Sequence, residues 1–314
     1  MFEHIVLRGE RHYPKDNILN LNNRNIQDLN NVKNLERMVN LRELHLQGNT
    51  LTSINGLKNL RNLKLLQLND NKIEELSGLE TLEDLETLDL SNNNINEVKG
   101  LENLQNLEKL DLYSNKIIEI KGLENLVNLK ELILSNIDIV KISDLTTTNK
   151  LEKLVLANNK IKKLEGLENL ENLKELHIGK NNIKKIEGLD NLINLKELDL
   201  RSNEIREIEG LENLSNLYRI KLDGNNIPKP IIEQFSENGK YYVKYCKNDY
   251  VLFKNYIICI EEAGSGFENI QNVLTLNHAK IQKISDLKNL ENLTRLEGLN
   301  LVANEITEIK GLDT

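Results

Sequence analysis

The sequence predicts an α/β solenoid shaped like a horseshoe, with a parallel β-sheet on the concave face and 3₁₀ or irregular segments on the convex face. Three observations support this fold class. The chain of 314 residues repeats itself about every 22 residues, an asparagine and a glycine recur at fixed places, and the apolar positions are shared by nearly every copy. One copy cannot bury an apolar face alone, whereas stacked copies share a continuous core.

The apolar spacing within one copy indicates the elements of each coil. Residues 166–187 read GLENLENLKELHIGKNNIKKIE. Leu176 and Ile178 are two positions apart, which places both side chains on one face of a short strand. The preceding leucines recur every third residue, a spacing that suits tight turns or 3₁₀ pieces. Each coil is therefore predicted to contain a strand, a sharp turn at a position such as Asn181, and a return segment.

A ladder of asparagines marks the turns. Its predicted members are Asn49, Asn71, Asn93, Asn115, Asn159, Asn181, Asn203, Asn225 and Asn304. A turn buried in every coil has backbone groups that need hydrogen-bond partners. We expect the loss of one such asparagine to cost about 1–3 kcal/mol. Glycine recurs seven residues later, as at Gly56 and Gly100, which predicts a positive φ angle or a close backbone approach.

One copy departs from the pattern. Ile137 replaces the ladder asparagine, Asp144 replaces the glycine, and a run of threonines at 146–148 interrupts the usual segment. Either the array tolerates drift at this point, or a partner has shaped the copy. The predicted binding surface described below favours the second interpretation.

Four segments are predicted along the chain. Residues 1–17 form an N-terminal cap, since an end coil would otherwise expose its core. Residues 18–227 form the main array, 228–254 a capping or spacer segment that opens with prolines, and 255–314 a second, incomplete array. The order of elements in the second array resembles that near the N-terminus, which indicates an internal duplication. This array stops in mid-repeat, and we expect its uncapped edge either to mediate self-association or to reflect truncation.

Composition narrows the function classes. The formal net charge is −8, whereas general nucleic-acid binding needs a clustered basic surface. Cys246 and Cys259 are too few for a disulfide framework and are interpreted as reduced thiols. The N-terminus lacks the apolar stretch of a signal peptide, and no run approaches the roughly 20 apolar residues of a membrane span. We therefore expect a cytoplasmic protein that binds neither nucleic acid nor membrane.

No motif indicates catalysis, a metal or a cofactor. The chain contains neither GxxxxGK[ST] nor HExxH. His45 and His177 occupy the same strand position six coils apart, so at about 4.8 Å per strand they cannot share a metal ion. We interpret both as solvated surface residues. Cys246 is interpreted as a packed or partly exposed thiol. The sequence thus predicts a protein that is not an enzyme and needs no cofactor.

The outward residues of the strands form the predicted binding surface, because side chains between inward leucines point to the concave face. Ile133 and Val155 are neighbouring apolar residues that we expect to be exposed, and Asp89 and Asp111 form an acidic pair beside them. An apolar centre with a charged flank is typical of a protein-binding patch. Alternatively, these β-branched residues simply suit strands. The predicted partner-binding residues are Asp89, Asp111, Tyr113, Ile133, Val155, Ala157, His177 and Asp199.

The motif LxxLxLxxNxI, which begins here at Leu173 and ends at Ile183, resembles the leucine-rich repeat. The 22-residue length is similar to that of the subclass found in a regulatory subunit of a Ser/Thr protein phosphatase and in bacterial internalins. The resemblance implies the solenoid fold, and it implies the family's placement of each ladder asparagine inside the turn.

The predicted function is a non-catalytic scaffold that binds a protein partner on its concave sheet. Rigid strands hold the contacting side chains in place before binding, so little entropy is lost on contact. The resemblance implies two alternatives, a regulatory subunit of a Ser/Thr protein phosphatase or similar enzyme, and a surface adhesin of internalin type. An enzyme is a further alternative, which a strongly depressed pKa of the Cys246 thiol would favour.

Overall fold

The computed structural model describes residues 4–227, 237–246, 250–253, 256–259, 261–262, 272–276, 279, 281–288, 290, 293 and 296–307. The side chains of Cys246 and Cys259, the prolines at 228–230 and the C-terminal edge at 308–314 lie outside the described residues. The interpretations of the thiols and of the uncapped edge therefore stay predictions. No helix in the described part of the chain is long and apolar enough to cross a membrane.

A hairpin precedes the first coil. Strands β1 (Ile5–Leu7) and β2 (Glu10–His12) pair antiparallel around the turn at Arg8 and Gly9. The backbone of Val6 exchanges hydrogen bonds of 3.0 and 2.9 Å with that of Lys33. Because β1 also buries its two outer aliphatic side chains in the core, the hairpin covers the start of the solenoid.

Ten parallel strands form one continuous sheet within the described residues. In chain order they are β3 (Ile18–Asn20), β4 (Glu43–His45), β5 (Leu65–Gln67), β6 (Thr87–Asp89), β7 (Lys109–Asp111), β8 (Glu131–Ile133), β9 (Lys153–Val155), β10 (Glu175–His177), β11 (Glu197–Asp199) and β12 (Arg219–Lys221). Each strand pairs with its sequence neighbours, and Leu44 lies opposite Leu66 as the 22-residue repeat requires. The predicted parallel sheet of a solenoid is thus confirmed.

The core lies between this sheet and the return segments. Leucines of the strands and of the convex turns are almost all fully buried, as at Leu66 and Leu60. Backbone bonds three residues apart tighten the convex turns, for example from Leu60 N–H to the Leu57 carbonyl at 2.8 Å. Short 3₁₀ helices occur at Leu29–Asn31 and Leu35–Arg37. The convex side therefore combines 3₁₀ and irregular segments, as predicted.

Each ladder asparagine joins two coils. Asn93 donates from Nδ2 to the carbonyls of Leu68 and Leu90, both at 3.0 Å, and its Oδ1 accepts from Ile73 N–H at 3.0 Å. The same three bonds recur along the array and at Asn304. The amide thus satisfies backbone groups that the turn buries, and we expect each to contribute about 1–3 kcal/mol.

The irregular coil interrupts the ladder. The side chain of Ile137 is 5% exposed and contains no oxygen. Ile117 N–H therefore lacks the side-chain acceptor that Ile95 N–H has in Asn115 one coil earlier. The neighbouring bond from Asp138 N–H to the Ile117 carbonyl lengthens to 3.4 Å, against 2.8 Å one coil later. Thr148 is fully buried and donates its hydroxyl to the Leu145 carbonyl at 2.9 Å. The coil keeps its shape with fewer hydrogen bonds between coils.

Both reasons predicted for the glycines occur together. Gly100 has a φ angle of +87°, and an added Cβ would lie 2.6 Å from the Leu76 carbonyl oxygen. Asp144, at the same place in the irregular coil, also adopts a positive φ angle of 56°. The glycine therefore allows the return segments of neighbouring coils to approach closely.

A helix follows the main array. Helix α1 (Gly239–Cys246) begins after Asn238, whose Oδ1 accepts from Lys240 N–H at 3.1 Å. Tyr242 and Val243 are buried against the array core. Strands β13 (Tyr250–Phe253) and β14 (Tyr256–Cys259) then form an antiparallel hairpin across the predicted boundary between residues 254 and 255. That boundary stays a prediction.

The C-terminal segment contains a second small sheet of β15 (Glu261–Glu262), β16 (Asn272–Thr275) and β17 (Gly298–Asn300). A short 3₁₀ helix lies between β16 and β17 at Ile284–Asp286. Parallel pairing places Leu274 opposite Leu299, and Leu19 lies opposite Leu44 in the first two coils of the main array. Both steps are 25 residues, and the internal duplication stays a prediction. The segment also has its own cluster of buried aliphatic side chains.

Candidate partner-binding face

Three columns of side chains run along the concave face. The first column is Glu43, Leu65, Thr87, Lys109, Glu131, Lys153, Glu175, Glu197 and Arg219. The central column is His45, Gln67, Asp89, Asp111, Ile133, Val155, His177, Asp199 and Lys221. The third column is Gln47, Asn69, Ser91, Tyr113, Ser135, Ala157, Gly179, Arg201 and Asp223. Each strand places its outer residues on this face because its middle residue is buried.

The sequence prediction omitted the first column. Lys109 Nζ lies 3.1 Å from a Glu131 carboxylate oxygen, and Lys153 Nζ lies 3.2 Å from a Glu175 oxygen. These ion pairs join neighbouring strands beside the central apolar residues. The signal was available, since each first-column residue immediately precedes an inward leucine or isoleucine. Next to the apolar centre, the first column therefore consists of charged side chains that pair with one another across neighbouring strands.

An acidic pair occupies the central column. Asp89 and Asp111 lie opposite each other on β6 and β7. Asp89 Oδ1 accepts from Ser91 N–H at 3.0 Å and from the Ser91 hydroxyl at 2.7 Å, and Asp111 Oδ1 accepts from Tyr113 N–H at 2.9 Å. Burial, and then the Asp89 carboxylate, raise the pKa of Asp111 despite that backbone bond. A cation from a partner would relieve this repulsion.

The apolar centre lies on the next two strands. Ile133 and Val155 are opposed in register on β8 and β9, and each is partly exposed. Tyr113 is 40% exposed beside them. Ser135 Oγ is buried without a hydrogen-bond partner and lies in the same region. The centre thus combines apolar surface with an unsatisfied hydroxyl.

His177 and Asp199 continue the central column beyond Val155. Burial lowers the pKa of His177, which keeps its imidazole neutral at neutral pH. Burial alone would raise the pKa of Asp199, but hydrogen bonds and charge from Arg201 lower it overall. The guanidinium donates to Asp199 at 3.0 Å from Nε and 2.6 Å from Nη2. Asp199 is therefore neutralised within the chain, unlike Asp111.

The two histidines of the central column, interpreted from the sequence as solvated surface residues, lie on the concave face and are partly exposed. Their side chains are 19% exposed at His45 and 32% exposed at His177. His45 contacts the Gln67 side chain, and its Nε2 lies 3.3 Å from Glu43. Glu43 lies on the same strand, whereas Gln67 lies on the neighbouring strand β5, a contact that an isolated repeat does not reveal. Among the described residues, no group of three histidine, cysteine, aspartate or glutamate side chains is placed to hold a metal ion.

Family models agree with this architecture. A model described as leucine-rich repeats in two copies matches residues 39–81, 61–105, 83–125 and 149–191, and a leucine-rich repeat model matches 171–227. The chain is a leucine-rich repeat protein. Comparison with curated proteins gives no match.

Solved leucine-rich repeat structures include similar solenoids. Internalin C2 from Listeria monocytogenes is 34% identical, with a TM-score of 0.57 over 60% of this chain and 83% of that one. The internalin InlF from the same organism is 24% identical over 95% of this chain and 84% of that one, again with a TM-score of 0.57. The leucine-rich repeat domain of APL1B is 20% identical over 67% and 65%, with a TM-score of 0.57. The last two likenesses show the fold alone.

Proposed function

We propose that this leucine-rich repeat protein is a non-catalytic scaffold that binds a partner protein on its concave sheet. The binding patch consists of Asp89, Asp111, Tyr113, Ile133, Val155 and Ala157, with His177 and Asp199 at its edge. One observation carries the proposal: an apolar pair on β8 and β9 lies directly beside an acidic pair on β6 and β7. The fold serves mainly for protein interactions in other chains, which supports the same conclusion.

The patch suggests the chemistry of the partner segment. An aliphatic or aromatic side chain would cover Ile133 and Val155, and a lysine or arginine would face Asp89 and Asp111. Pairing with a cation lowers the pKa of Asp111 and adds charge-assisted hydrogen bonds. We propose that no cofactor takes part.

The test compares two double variants of the full chain in capture from native lysate. Ile133→Glu with Val155→Glu places two charges in the patch. The control, Val127→Glu with Ile193→Glu, changes two apolar residues that are exposed outside the concave columns. A partner held by the wild type and by the control, but lost with the patch variant, is then purified and titrated by calorimetry. We expect the patch variant to weaken its binding at least about tenfold.

Equal binding of that partner by both variants would show that the concave patch is not the site. Circular dichroism establishes that each variant keeps the solenoid. The identity of the partner also distinguishes the scaffold from the alternative of a phosphatase regulatory subunit. A phosphatase catalytic subunit that meets the same binding test would support that alternative.

The similarity to internalin C2 favours a second candidate, an internalin-type adhesin at the cell surface. The sequence instead predicts a cytoplasmic location. Surface labelling of intact cells followed by fractionation distinguishes the two. Labelled chain on intact cells supports the adhesin, whereas chain found only in the cytoplasmic fraction supports the cytoplasmic scaffold.

A further inference from the structure

The return segments form an exposed flank that the concave binding patch does not use. On each coil this flank face consists of the first, third, fourth and sixth residues after the ladder position. In the coil of Asn115 these are Lys116, Ile118, Glu119 and Lys121, all exposed or partly exposed. Stacking places equivalent residues side by side, so each position forms a column along the solenoid.

The charge of one column reverses halfway along the flank face. In consecutive coils its fourth position is occupied by Glu75, Glu97, Glu119, Lys141, Lys163 and Lys185. All six side chains are exposed. The reversal falls between the coil of Asn115 and the irregular coil of Ile137. Within this column the acidic run and the basic run are therefore equal in length, at three residues each.

An apolar centre lies at the point of reversal. Ile118 is 62% exposed and Val140 is 50% exposed, and they occupy the third position of the two central coils. Beyond them the third position is acidic at Glu74 and basic at Lys184. Beside the lysines of this column lies a groove of about 640 Å³, which is lined by Val140, five lysines that include Lys163, Asn182, Glu187 and Glu204.

This arrangement is complementary to itself. Consider a two-fold axis that lies in the flank face, between the coils of Asn115 and Ile137. It reverses the order of the coils in a second copy and keeps each residue in its column. Each residue then faces the residue of the second copy that lies equally far from the reversal on its other side. Glu119, Glu97 and Glu75 then face the copy's Lys141, Lys163 and Lys185 respectively, and Ile118 faces Val140. In the other columns, Lys99 faces Glu165, Lys116 faces Asp138 and Glu74 faces Lys184. None of the pairs opposed across these six coils joins like charges.

The match depends on the position of the axis. Moving the axis by one coil toward the N-terminus sets Glu97 against Glu119, which is repulsive. A self-complementary surface is the property that a two-fold homodimer requires.

We propose that a second copy of this chain docks antiparallel on the flank face, with Ile118 and Val140 at the dimer axis. The internal ion pairs on this face do not prevent docking. Lys99 lies 2.7 Å from Glu97 and Lys160 lies 2.8 Å from Asp138, but these side chains are more than half exposed. Such surface pairs contribute little and exchange readily. Six coils at about 4.8 Å each give a face about 29 Å long, which suits a modest, salt-sensitive dimer.

A charge exchange tests the proposal because each copy supplies both sides of every pair. Glu97→Lys sets lysine against Lys163 of the other copy, and Lys163→Glu sets glutamate against Glu97. Each single variant is expected to raise the dimer dissociation constant at least about tenfold. The double variant restores opposite charges at both symmetric contacts and is expected to return that constant to within about threefold of the wild type.

Sedimentation velocity on the full chain, over a range of protein and salt concentrations, measures these constants. Glu83→Lys changes an exposed carboxylate outside the flank face and serves as the control. A monomeric wild type, single variants that dimerise normally, or a double variant that fails to recover would each overturn the proposal. Dimers that persist in Glu97→Lys point instead to another surface, such as the C-terminal edge. This face is separate from the concave patch, so loss of the dimer and loss of the partner are distinguishable.

Discussion

Asp89 and Asp111 lie opposite each other on neighbouring strands, and burial together with this like charge raises the pKa of Asp111. Asp199 in the same column differs, because the Arg201 guanidinium donates hydrogen bonds to its carboxylate and balances its charge. The central column therefore contains one carboxylate whose charge is unfavourable in the free protein and one whose charge is favourable. Only the first gains from an incoming cation.

We predict that Asp111→Asn stabilises the free protein at neutral pH. A carboxyl whose folded pKa is raised costs stability when ionised, and this cost disappears as the pH falls through the folded pKa. The gain should not exceed about 1 kcal/mol, since solvent screens a partly exposed group. Urea unfolding at neutral and acidic pH measures it, with the exposed Asp84→Asn as control. A less stable Asp111→Asn at neutral pH would contradict the assignment.

Asp199→Asn is expected to have the opposite effect. The folded pKa of Asp199 is lowered, so its ionised form contributes stability that is fully present above the unfolded pKa and is lost as the pH falls through the folded pKa. We expect a loss of about 1–2 kcal/mol at neutral pH that shrinks in strong acid. A double-mutant cycle with Arg201→Ala isolates the pair. Additive losses would mean that the two side chains do not interact.

Ile137→Asn is predicted to restore the ladder. The new amide would accept from Ile117 N–H, which lacks that acceptor now, and would donate to the Leu112 and Leu134 carbonyls. Satisfying a buried N–H is worth about 1–3 kcal/mol, which offsets the lost aliphatic side chain, so we expect a net gain of up to about 1 kcal/mol. The control Ile139→Asn buries an amide with no such partners and should destabilise by about 2–5 kcal/mol. Thermal unfolding measures the stability of both variants. An Ile137→Asn variant that is less stable than the wild type would contradict the claim that an asparagine at this position satisfies Ile117 N–H.

The glycine column predicts a pair of opposite effects. Gly100→Ala should destabilise by about 1–3 kcal/mol, because its φ is positive and its Cβ would press on the Leu76 carbonyl. Asp144→Gly should stabilise by about 1 kcal/mol, since glycine adopts the same φ without strain. Denaturant midpoints of the two variants provide the measurement. Unchanged stability in Gly100→Ala would mean that the coils can move apart at no cost.

Much of the fold was predictable because the repeat is local. The positions of Leu176 and Ile178, the turn at Asn181 and the parallel strands follow from spacings within a single copy. The central and third columns of the concave face also follow, since alternation along each strand assigns every residue to a side. The first column was missed even though it obeys the same alternation.

Environments that depend on stacked coils were not predictable in the same way. Ile133 was expected to be exposed and is partly exposed, and His45 was expected to be solvated and contacts Gln67 of the next coil. Gln67 is 22 residues from His45 in the chain, so this contact exists only when the coils stack.

The sequence by itself determined the solenoid, its ladder and the identities of the residues in each concave column, because all of these depend on one repeated local spacing. The tertiary structure decided which charges lie uncompensated beside one another, as at Asp89 and Asp111, and how the flank from Glu75 to Lys185 becomes one face. The physical reason is that burial and Coulomb interaction act between neighbours in space. In a solenoid, those neighbours are brought together by the stacking of coils.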